Sequence, residues 1–258
     1  RIRAQGPFAD MIPGGARVID LPGGHALSNI PAIARYLRSS RPEALLAVKD
    51  RSGRAAIVAK VLSGVSTRLV VRLGTNLSAA LADKPRMIRL LRVLPCRMLY
   101  PRADAIVAVS GGVARDTADY ARLSPERIAV VPNPVITPEL EDLAKEDPEH
   151  PWLNDDGPPV LLGAGRLTEQ KDFGVLLRAL AGLKEFSGAR LILLGEGRKR
   201  AQLEGLAHEL GIADRVDMPG FVANPYAFLR RADLFVLSSR WEGSPNVLTE
   251  ALALGTPA

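Results

Sequence analysis

The sequence predicts an α/β protein made of two doubly wound domains, each a parallel sheet covered by helices on both faces. Three observations support this fold class. Short, continuously apolar runs alternate with segments of helical period in both halves of the chain, as βαβ units require. An acidic, proline-rich stretch separates the halves, and 258 residues with 47% hydrophobic content are enough for two cores. We expect ligands at the carboxyl ends of the strands, where such sheets bind them.

The first half shows this alternation in five segments. They are, in order, ALLAVK, GRAAIVAKVLSG, TRLVVRLG, ADAIVAVS and ERIAVVPNP. The strand-like runs are apolar at successive positions, which is typical of strands buried between two helical layers.

The second half alternates more clearly. Its predicted strands are PVLLGAG, ARLILLGEG, RVDMPG and DLFVLSS. Its predicted helices are DFGVLLRALAGLKEF, RKRAQLEGLAHELG, NPYAFLRRA and SPNVLTEALALG. We expect Ser244 to cap the last helix and Pro245 to be its first residue, because the hydroxyl accepts a free first-turn N–H and proline has none to satisfy.

Charge divides the chain at the same place. Residues 1–132 hold 21 basic and 9 acidic residues, residues 133–156 hold 1 and 8, and residues 157–258 hold 12 and 11. A strongly basic first half is therefore followed by an acidic segment that is also rich in proline, which is typical of a domain boundary. The predicted organisation is a domain over 1–136, a connector over 137–157 and a domain over 158–258.

Composition excludes several classes of protein. The single cysteine, Cys96, rules out a disulfide framework and a cysteine-based metal site, and it fits a reducing, cytoplasmic compartment. The sequence has no apolar run of 18 residues and no leader pattern, so we expect neither a spanning helix nor a signal peptide. The sequence pI is about 9.8. Aromatic residues make up only 5% of the chain, too few for recognition of nucleic acid by stacking.

Four charged residues follow strands of the second half and therefore belong on one edge of its sheet. Arg166 and Lys171 come after the first strand, Glu196 after the second and Glu242 after the last. Two cations near helix N-termini suit a diphosphate, since arginine offers a planar fork and lysine a point charge. A second interpretation stays open, in which these are solvated loop charges.

Glu242 and Glu250 lie eight positions apart and bracket the start of the closing helix. A carboxylate suits sugar hydroxyls, because it accepts hydrogen bonds from neighbouring OH groups. The pair therefore predicts a sugar-and-ribose site beside the phosphate site. Alternatively, Glu250 is a local partner for an arginine, and the glycines of GEG at 195–197 serve only a strand-to-helix turn.

The ordered set GRLTEQKDF, LILLGEG, MPGFVANPY and ADLFVLSSRWEGSPNVLTEALALGTP resembles the nucleotide-sugar domain of the retaining, group 1 glycosyltransferases of family 4. The Glu-x7-Glu spacing matches that family's signature. The segments ADAIVAVSGGVARD and ERIAVVPNPV resemble the end of its acceptor domain. The resemblance implies the GT-B architecture, in which two Rossmann-like domains face each other across a cleft.

The resemblance also implies residue roles. Arg166 and Lys171 would hold the donor diphosphate, Glu242 would contact the transferred sugar, and Glu250 would bind the ribose. The first three are the implied catalytic residues. The implied donor-binding residues are Gly165, Gly195, Glu196, Phe221, Gly243, Asn246, Val247 and Glu250.

The activity that the resemblance implies is a retaining, hexosyltransferase-type transfer from a nucleoside-diphosphate sugar, with uridine as the expected base. The acceptor would be a glycan or lipid-linked molecule of cell-surface polysaccharide or lipopolysaccharide synthesis. No Asp-x-Asp motif is present, so we expect no metal and no cofactor besides the nucleotide-sugar substrate. Two alternatives stay open: a sugar-nucleotide epimerase of the same fold and a non-catalytic nucleotide-sugar binding module.

Two departures from the family pattern limit the resemblance. Gly74 occupies the position where the family often has a histidine, and the histidines of this chain, His25, His150 and His208, are expected to be surface or packing residues. The chain also begins without methionine and stops where the family would begin another strand, so we expect a fragment that lacks both ends.

A basic, apolar segment lies between Lys84 and Arg102, with six basic residues and no acidic one. At helical spacing its apolar residues form one face, while Arg86, Arg89 and Arg97 cluster elsewhere, and Pro95 is expected to limit the helix. One interpretation is a packed helix with a solvated basic side. The other is a patch that binds anionic lipid, which would place the protein peripherally on the inner face of the membrane.

Overall fold

A computed structural model describes residues 12–154, 157–185 and 188–258. Its contacts divide the chain after Pro132 into two compact units, each with a four-stranded parallel sheet. The predicted α/β class is confirmed in both units. In the described part of the chain, no helix has the length and apolar character needed to cross a membrane.

The sheet of the first unit has the order β1-β2-β3-β4. Its strands are β1 (Ala44–Val48), β2 (Arg68–Leu73), β3 (Ala105–Ala108) and β4 (Ile128–Val130). Its helices are α1 (Ile30–Ser40), α2 (Asp50–Ser63), α3 (Leu77–Ala80), α4 (Arg86–Leu99) and α5 (Gly111–Ala121). Leu69, Val71 and Ile106 from the sheet pack with Cys96 and Tyr100 in its main core.

The expectation that Pro95 limits the helix is wrong, because α4 continues through Pro95 to Leu99. Proline leaves the carbonyl four residues earlier without its helical partner. That carbonyl belongs to Leu91, which is 65% exposed. Water can satisfy it there, so the helix tolerates the proline.

The sheet of the second unit has the order β7-β6-β5-β8. Its strands are β5 (Val160–Ala164), β6 (Arg190–Leu194), β7 (Val216–Gly220) and β8 (Leu234–Phe235). Its helices are α6 (Leu140–Ala144), α7 (Phe173–Gly182), α8 (Arg200–Glu209), α9 (Tyr226–Arg231) and α10 (Asn246–Ala253). The last residue of the helix predicted over DFGVLLRALAGLKEF, Phe186, lies outside the described residues.

The segment predicted as a connector, 137–157, packs in the second unit. Its short helix α6 buries Leu140 and Ala144 in the core that contains Phe228 and Leu229. Asn224 Nδ2 donates to Leu143 O over 2.8 Å and ties the segment to the turn before α9. The sequence did not indicate this packing, because proline and acidic residues dominate the segment around Leu140 and Ala144. Asp155 and Asp156 lie outside the described residues.

The capping prediction for α10 is wrong by one residue. Pro245 is the N-cap, with an extended backbone at φ −75° and ψ 99°, and no side chain caps the helix. Ser244 is thus one position too early to reach the first-turn N–H groups.

Candidate functional site

The carboxyl edge of the second sheet is formed by glycines at the ends of three neighbouring strands. Gly165 follows β5 with φ 147°, Gly195 follows β6 with φ 128°, and Gly220 ends β7 with φ 93°. Side chains strongly disfavour these backbone angles. The sequence GEG therefore serves a strand-end conformation that other residues would strain.

These strand ends also approach each other too closely for side chains. A Cβ atom on Gly195 would lie 2.2 Å from Gly165 O. Gly165 N–H donates to Leu194 O over 2.9 Å, and Gly195 N–H donates to Gly220 O over 2.7 Å. The edge is thus a surface of bare backbone, which lets a ligand approach the main chain closely.

Lys171 and Glu242 meet at this edge although 71 positions separate them. Lys171 Nζ lies 2.7 Å from Glu242 Oε1, and the two side chains are 16% and 20% exposed. A Cβ atom on Gly165 would lie 2.6 Å from Lys171 Cε, so the lysine stem lies across that glycine. The structure therefore joins two of the three predicted catalytic residues in one partly buried ion pair.

Hydrogen bonds hold the loop after β5 against the loop after β8. Ser238 Oγ donates to Lys171 O over 2.7 Å, and Gln170 Nε2 donates to Trp241 O over 3.1 Å. Arg240 N–H donates to Gln170 O over 2.8 Å. The Lys171–Glu242 pair is therefore positioned by hydrogen bonds to main-chain carbonyls and does not depend on the two charges alone.

Arg166 and Glu196 are placed differently from Lys171. The Arg166 side chain is exposed and has no hydrogen bond or ion pair to any residue that the structure describes. Glu196 pairs instead with Arg200, whose Nη2 lies 2.5 Å from Glu196 Oε1. The Arg200 hydrogen bonds hold the pKa of Glu196 below its ordinary value.

Glu250 lies on α10 and is half-buried. Burial raises its pKa, and Tyr226, whose own pKa is raised by burial, also feels the Glu250 charge. Within the described ranges no residue forms an ion pair or hydrogen bond with the Glu250 carboxylate. The interpretation of Glu250 as an arginine partner therefore finds no support there, and its oxygens remain available to a ligand.

The other predicted donor-binding residues surround the start of α10 and the end of β7. Gly243 lies in the loop between Glu242 and α10, and Val247 packs against the core of the second unit. Asn246 begins α10, and its Oδ1 accepts a 2.6 Å hydrogen bond from Asn133 Nδ2. Phe221 directly follows β7 and is 50% exposed.

Sequence reasoning missed the serines after β8. Ser238 fixes the Lys171 backbone, and the neighbouring Ser239 Oγ is buried with no hydrogen-bond partner among the residues that the structure describes. A buried hydroxyl without a partner is costly, which makes it a group that a ligand can satisfy. The only signal in the sequence was their position between the last strand and Glu242.

The histidines have three different environments. His150 is buried, its Nε2 lies 2.9 Å from Asp217 Oδ2, and its ring packs edge-on against Trp152 and Phe228. His208 is exposed on α8. Gly74 follows β2 and lines a cavity of the first unit together with His25. His150 and His208 thus fit the expected packing and surface roles, whereas His25 borders a cavity.

The predicted basic patch on α4 is only partly free. Arg86 and Arg89 are exposed. Arg97 Nε donates to Tyr120 O over 2.8 Å, so this arginine braces α4 against α5. The apolar face is not packed as the simpler interpretation required. Its side chains are 44% to 65% exposed in Met87, Ile88, Leu90, Leu91, Leu94 and Met98.

Both units match known families. Residues 3–134 match the family described as "Glycosyl transferase 4-like domain", and residues 145–258 match "Glycosyl transferases group 1". The boundary between the two matches lies close to the division of the structure after Pro132.

Two relatives are similar over part of their length. N-acetylgalactosamine-N,N'-diacetylbacillosaminyl-diphospho-undecaprenol 4-alpha-N-acetylgalactosaminyltransferase of Campylobacter jejuni is 32% identical over 79% of this chain and 53% of its own. The lipopolysaccharide core biosynthesis glycosyltransferase LpsE of Rhizobium meliloti is 34% identical over 63% of this chain and 46% of its own. The chain thus spans about half the length of these relatives.

A solved structure shares the fold. Anabaena HepE in complex with UDP has a TM-score of 0.66 and 19% identity, and the match covers 89% of this chain and 62% of that one. The sheet orders, this likeness and the two family matches establish the GT-B architecture. The chain belongs to the group 1, family 4-like glycosyltransferases.

Proposed function

We propose that the protein transfers a sugar from a nucleoside-diphosphate sugar to a hydroxyl of a glycan or lipid-linked acceptor, with retention at the anomeric carbon. The observation that carries this proposal is the Lys171–Glu242 ion pair, held 2.7 Å apart on a glycine edge. A cation for the leaving phosphate and a carboxylate for the sugar hydroxyls stand side by side there.

The leaving diphosphate gains negative charge as the glycosidic bond breaks, so catalysis is mainly electrostatic and positional. Lys171 provides a partly buried positive charge, and a hydrogen bond from Ser238 fixes its backbone before the donor binds. Arg166, which is exposed and unpaired within the described residues, folds onto the same phosphates. These two cations neutralise the leaving group, which is the basis for proposing a metal-independent reaction.

The ion pair gives Lys171 and Glu242 linked roles. Glu242 accepts hydrogen bonds from hydroxyls of the transferred sugar while Lys171 turns toward the diphosphate. The lysine charge is desolvated by the same loops that hold its backbone, which strengthens its effect on a phosphate. The bare backbone at Gly165 and Gly195 leaves room for this approach.

Glu250 is assigned to the nucleotide ribose. It is half-buried, and no residue in the described ranges pairs with its carboxylate. Two neighbouring ribose hydroxyls can donate to its two oxygens and compensate its desolvation. Uridine is the proposed base, and the HepE complex holds UDP on the same fold.

The acceptor is proposed from the relatives. The Campylobacter jejuni protein acts on a diphospho-undecaprenol glycan and the Rhizobium meliloti protein serves lipopolysaccharide core synthesis. We therefore assign this protein to cell-surface polysaccharide or lipopolysaccharide synthesis.

We propose a peripheral position on the inner face of the membrane, and the exposed face of α4 supports it. Residues 82–91 are exposed throughout, so the first half of α4 presents Met87 and Leu91 to its surroundings beside Arg86 and Arg89. Apolar side chains that enter the headgroup region, with cations that attract anionic lipid, are typical of a helix lying on a membrane surface.

The test measures release of nucleoside diphosphate from a panel of nucleotide sugars, with and without a lipid-linked acceptor. We expect release that depends on the acceptor, a retained anomeric configuration by NMR, and activity that survives EDTA. Conversion of the donor without transfer would instead indicate the epimerase. Donor binding without turnover would indicate the binding module. Complete loss in EDTA with recovery in manganese would contradict the metal-free mechanism.

A further inference from the structure

The first unit has a cavity of about 510 Å³. It lies where β1 and β2 reach the carboxyl edge of their sheet, which is the edge at which parallel sheets place their ligand sites. The lining residues that matter for its chemistry are His25, Lys49, Asp50, Arg51, Gly74 and Thr75.

Two cations on this cavity have no counterion among the described residues. The Lys49 and Arg51 side chains are exposed, and neither forms a hydrogen bond or ion pair with the residues described by the structure. Asp50 lies between them but is already occupied. Arg54 binds its two oxygens at 2.7 and 3.1 Å, and Tyr100 donates to Oδ1 over 2.8 Å. The cavity therefore has a net positive lining.

His25 adds a fixed donor to the same cavity. Its Nδ1 accepts a 3.2 Å hydrogen bond from Ser28 N–H, so the neutral ring carries its proton on Nε2. Buried Asn29 holds the loop, because its side chain bonds Gly23 N–H at 2.7 Å and His25 O at 3.0 Å. The hydrogen bond thus favours one tautomer of the imidazole, and His25 lines the cavity together with Gly74.

Lys49 is also held in an unusual backbone conformation, with φ 76° and ψ 154°. Its N–H donates to Arg72 O over 2.9 Å, and its carbonyl accepts from Gly53 N–H over 2.9 Å. A non-glycine residue persists at such angles only where its surroundings impose them, and such residues cluster at ligand sites. The conformation fixes where the lysine leaves the main chain.

We infer that this cavity binds a phosphoryl group of the acceptor, with Lys49 and Arg51 as the charged ligands and His25 Nε2–H as a third donor. The inference rests on the proposed function, because it assigns the acceptor to phosphate-bearing or diphosphate-bearing molecules. The donor diphosphate has its own cations, Arg166 and Lys171, in the second unit. Unpaired cations in the first unit therefore indicate a second anionic group.

Calorimetric titration of the 258-residue protein with geranyl diphosphate tests the inference, with geraniol and UDP as comparison ligands. We expect geranyl diphosphate to bind and geraniol not to bind. Lys49→Gln and Arg51→Gln should each weaken geranyl diphosphate about 10-fold, the effect of losing one charge-assisted contact. His25→Asn keeps an acceptor for Ser28 N–H but removes Nε2, and should weaken binding about threefold.

Matched variants separate this effect from unfolding and from general charge. Arg35→Gln removes an exposed cation of α1 outside the cavity and should change no affinity more than twofold. Lys49→Arg keeps the charge and should retain binding. Equal affinity for geraniol, or Lys49→Gln and Arg51→Gln variants that match Arg35→Gln, would overturn the inference. So would a loss of UDP affinity in these variants, because the phosphoryl group would then be that of the donor.

The outcome is independent of the test of sugar transfer. If sugar transfer is intact but substitution of Lys49 and Arg51 does not change the affinity for geranyl diphosphate, the cavity assignment alone is overturned. If geranyl diphosphate binding depends on Lys49 and Arg51 but no sugar is transferred, the proposed function alone is overturned.

Discussion

At the carboxyl edge of the second sheet Lys171 and Glu242 are paired at 2.7 Å, whereas at the same edge of the first sheet Lys49 and Arg51 have no partner in the described part of the chain. Both edges are formed by parallel strands that are followed by helices, although the strand orders of the two sheets differ. Their chemistry differs because the second edge closes two loops over a lysine and a carboxylate, while the first leaves a cavity open. At the second edge the two charges are already held in place, and a ligand replaces the contact that they make with each other. At the first edge the two cations gain their counterion only when a ligand binds.

The largest effect on turnover is expected when the paired cation, Lys171, is removed. Lys171→Ala should lower turnover by about 10²-fold or more, because leaving-group stabilisation is lost in a partly buried site. Arg166→Ala should have an effect of the same order. Steady-state kinetics of nucleoside diphosphate release measure both. Lys184→Ala, an exposed lysine that precedes the amino end of β6, is the matched control and should be near wild type. Near-normal turnover in Lys171→Ala would remove the lysine from the mechanism.

The next prediction tests whether the second edge tolerates a side chain at its glycines, measured as the free energy of unfolding. Gly195→Ala should lower the free energy of unfolding by more than about 2 kcal/mol, since it adds a strained backbone and a steric clash. The clash is with Gly165 O at 2.2 Å. Denaturant unfolding followed by circular dichroism measures it. Gly205→Ala, in the middle of α8 with no atom within 4 Å of the new Cβ, should instead stabilise by about 0.5–1 kcal/mol. Similar stabilities for the two variants would contradict the interpretation.

The two glutamates should separate kinetically. Glu250→Gln should raise the donor KM about 5-fold to 10-fold with little change in kcat, because ribose is held equally in the ground and transition states. Glu242→Gln should lower kcat, because its contact with the sugar strengthens as charge develops and because it releases Lys171. Initial rates over a range of donor concentrations measure both. The reverse pattern would exchange their roles.

Stability gives an independent test of Glu250. Burial raises its pKa, so the stability that the protonated form provides is lost as pH rises through that raised pKa. Glutamine does not ionise, so Glu250→Gln removes this pH-dependent loss of stability. The Tm of the variant relative to wild type should therefore increase from pH 4 to pH 8 in the absence of donor. A constant difference would show that the carboxylate is not desolvated.

The smallest expected effect concerns the basic first unit. Binding to vesicles of anionic lipid should fall several-fold in Leu91→Gln and in Arg86→Gln/Arg89→Gln, and it should weaken as salt rises from about 0.05 to 0.5 M. Leu62→Gln changes a similarly exposed leucine of α2 and should not affect it. Co-sedimentation measures binding. Equal binding to neutral vesicles would contradict the membrane assignment.

Sequence patterns located most strands and the residues of the second edge, because apolar runs and strand-end positions are local. Sequence patterns could not predict the pairing of Lys171 with Glu242, since it depends on how two loops 71 positions apart pack together. Glu196 was placed on the edge from its position after a strand, but its pairing with Arg200 needed the geometry of α8. The burial of Leu140 and the bracing role of Arg97 were equally invisible, because acidic and basic neighbours dominate those segments.

The tight contact between strand ends β5 and β6 has a consequence for altering substrate choice. A Cβ atom on Gly197 would lie 2.3 Å from Leu167 O, and one on Gly195 meets Gly165 O. Randomised libraries at these glycines would therefore contain mostly unfolded variants. Diversity is better introduced at Phe221, which directly follows β7 and is 50% exposed, so a directed-evolution search should begin there.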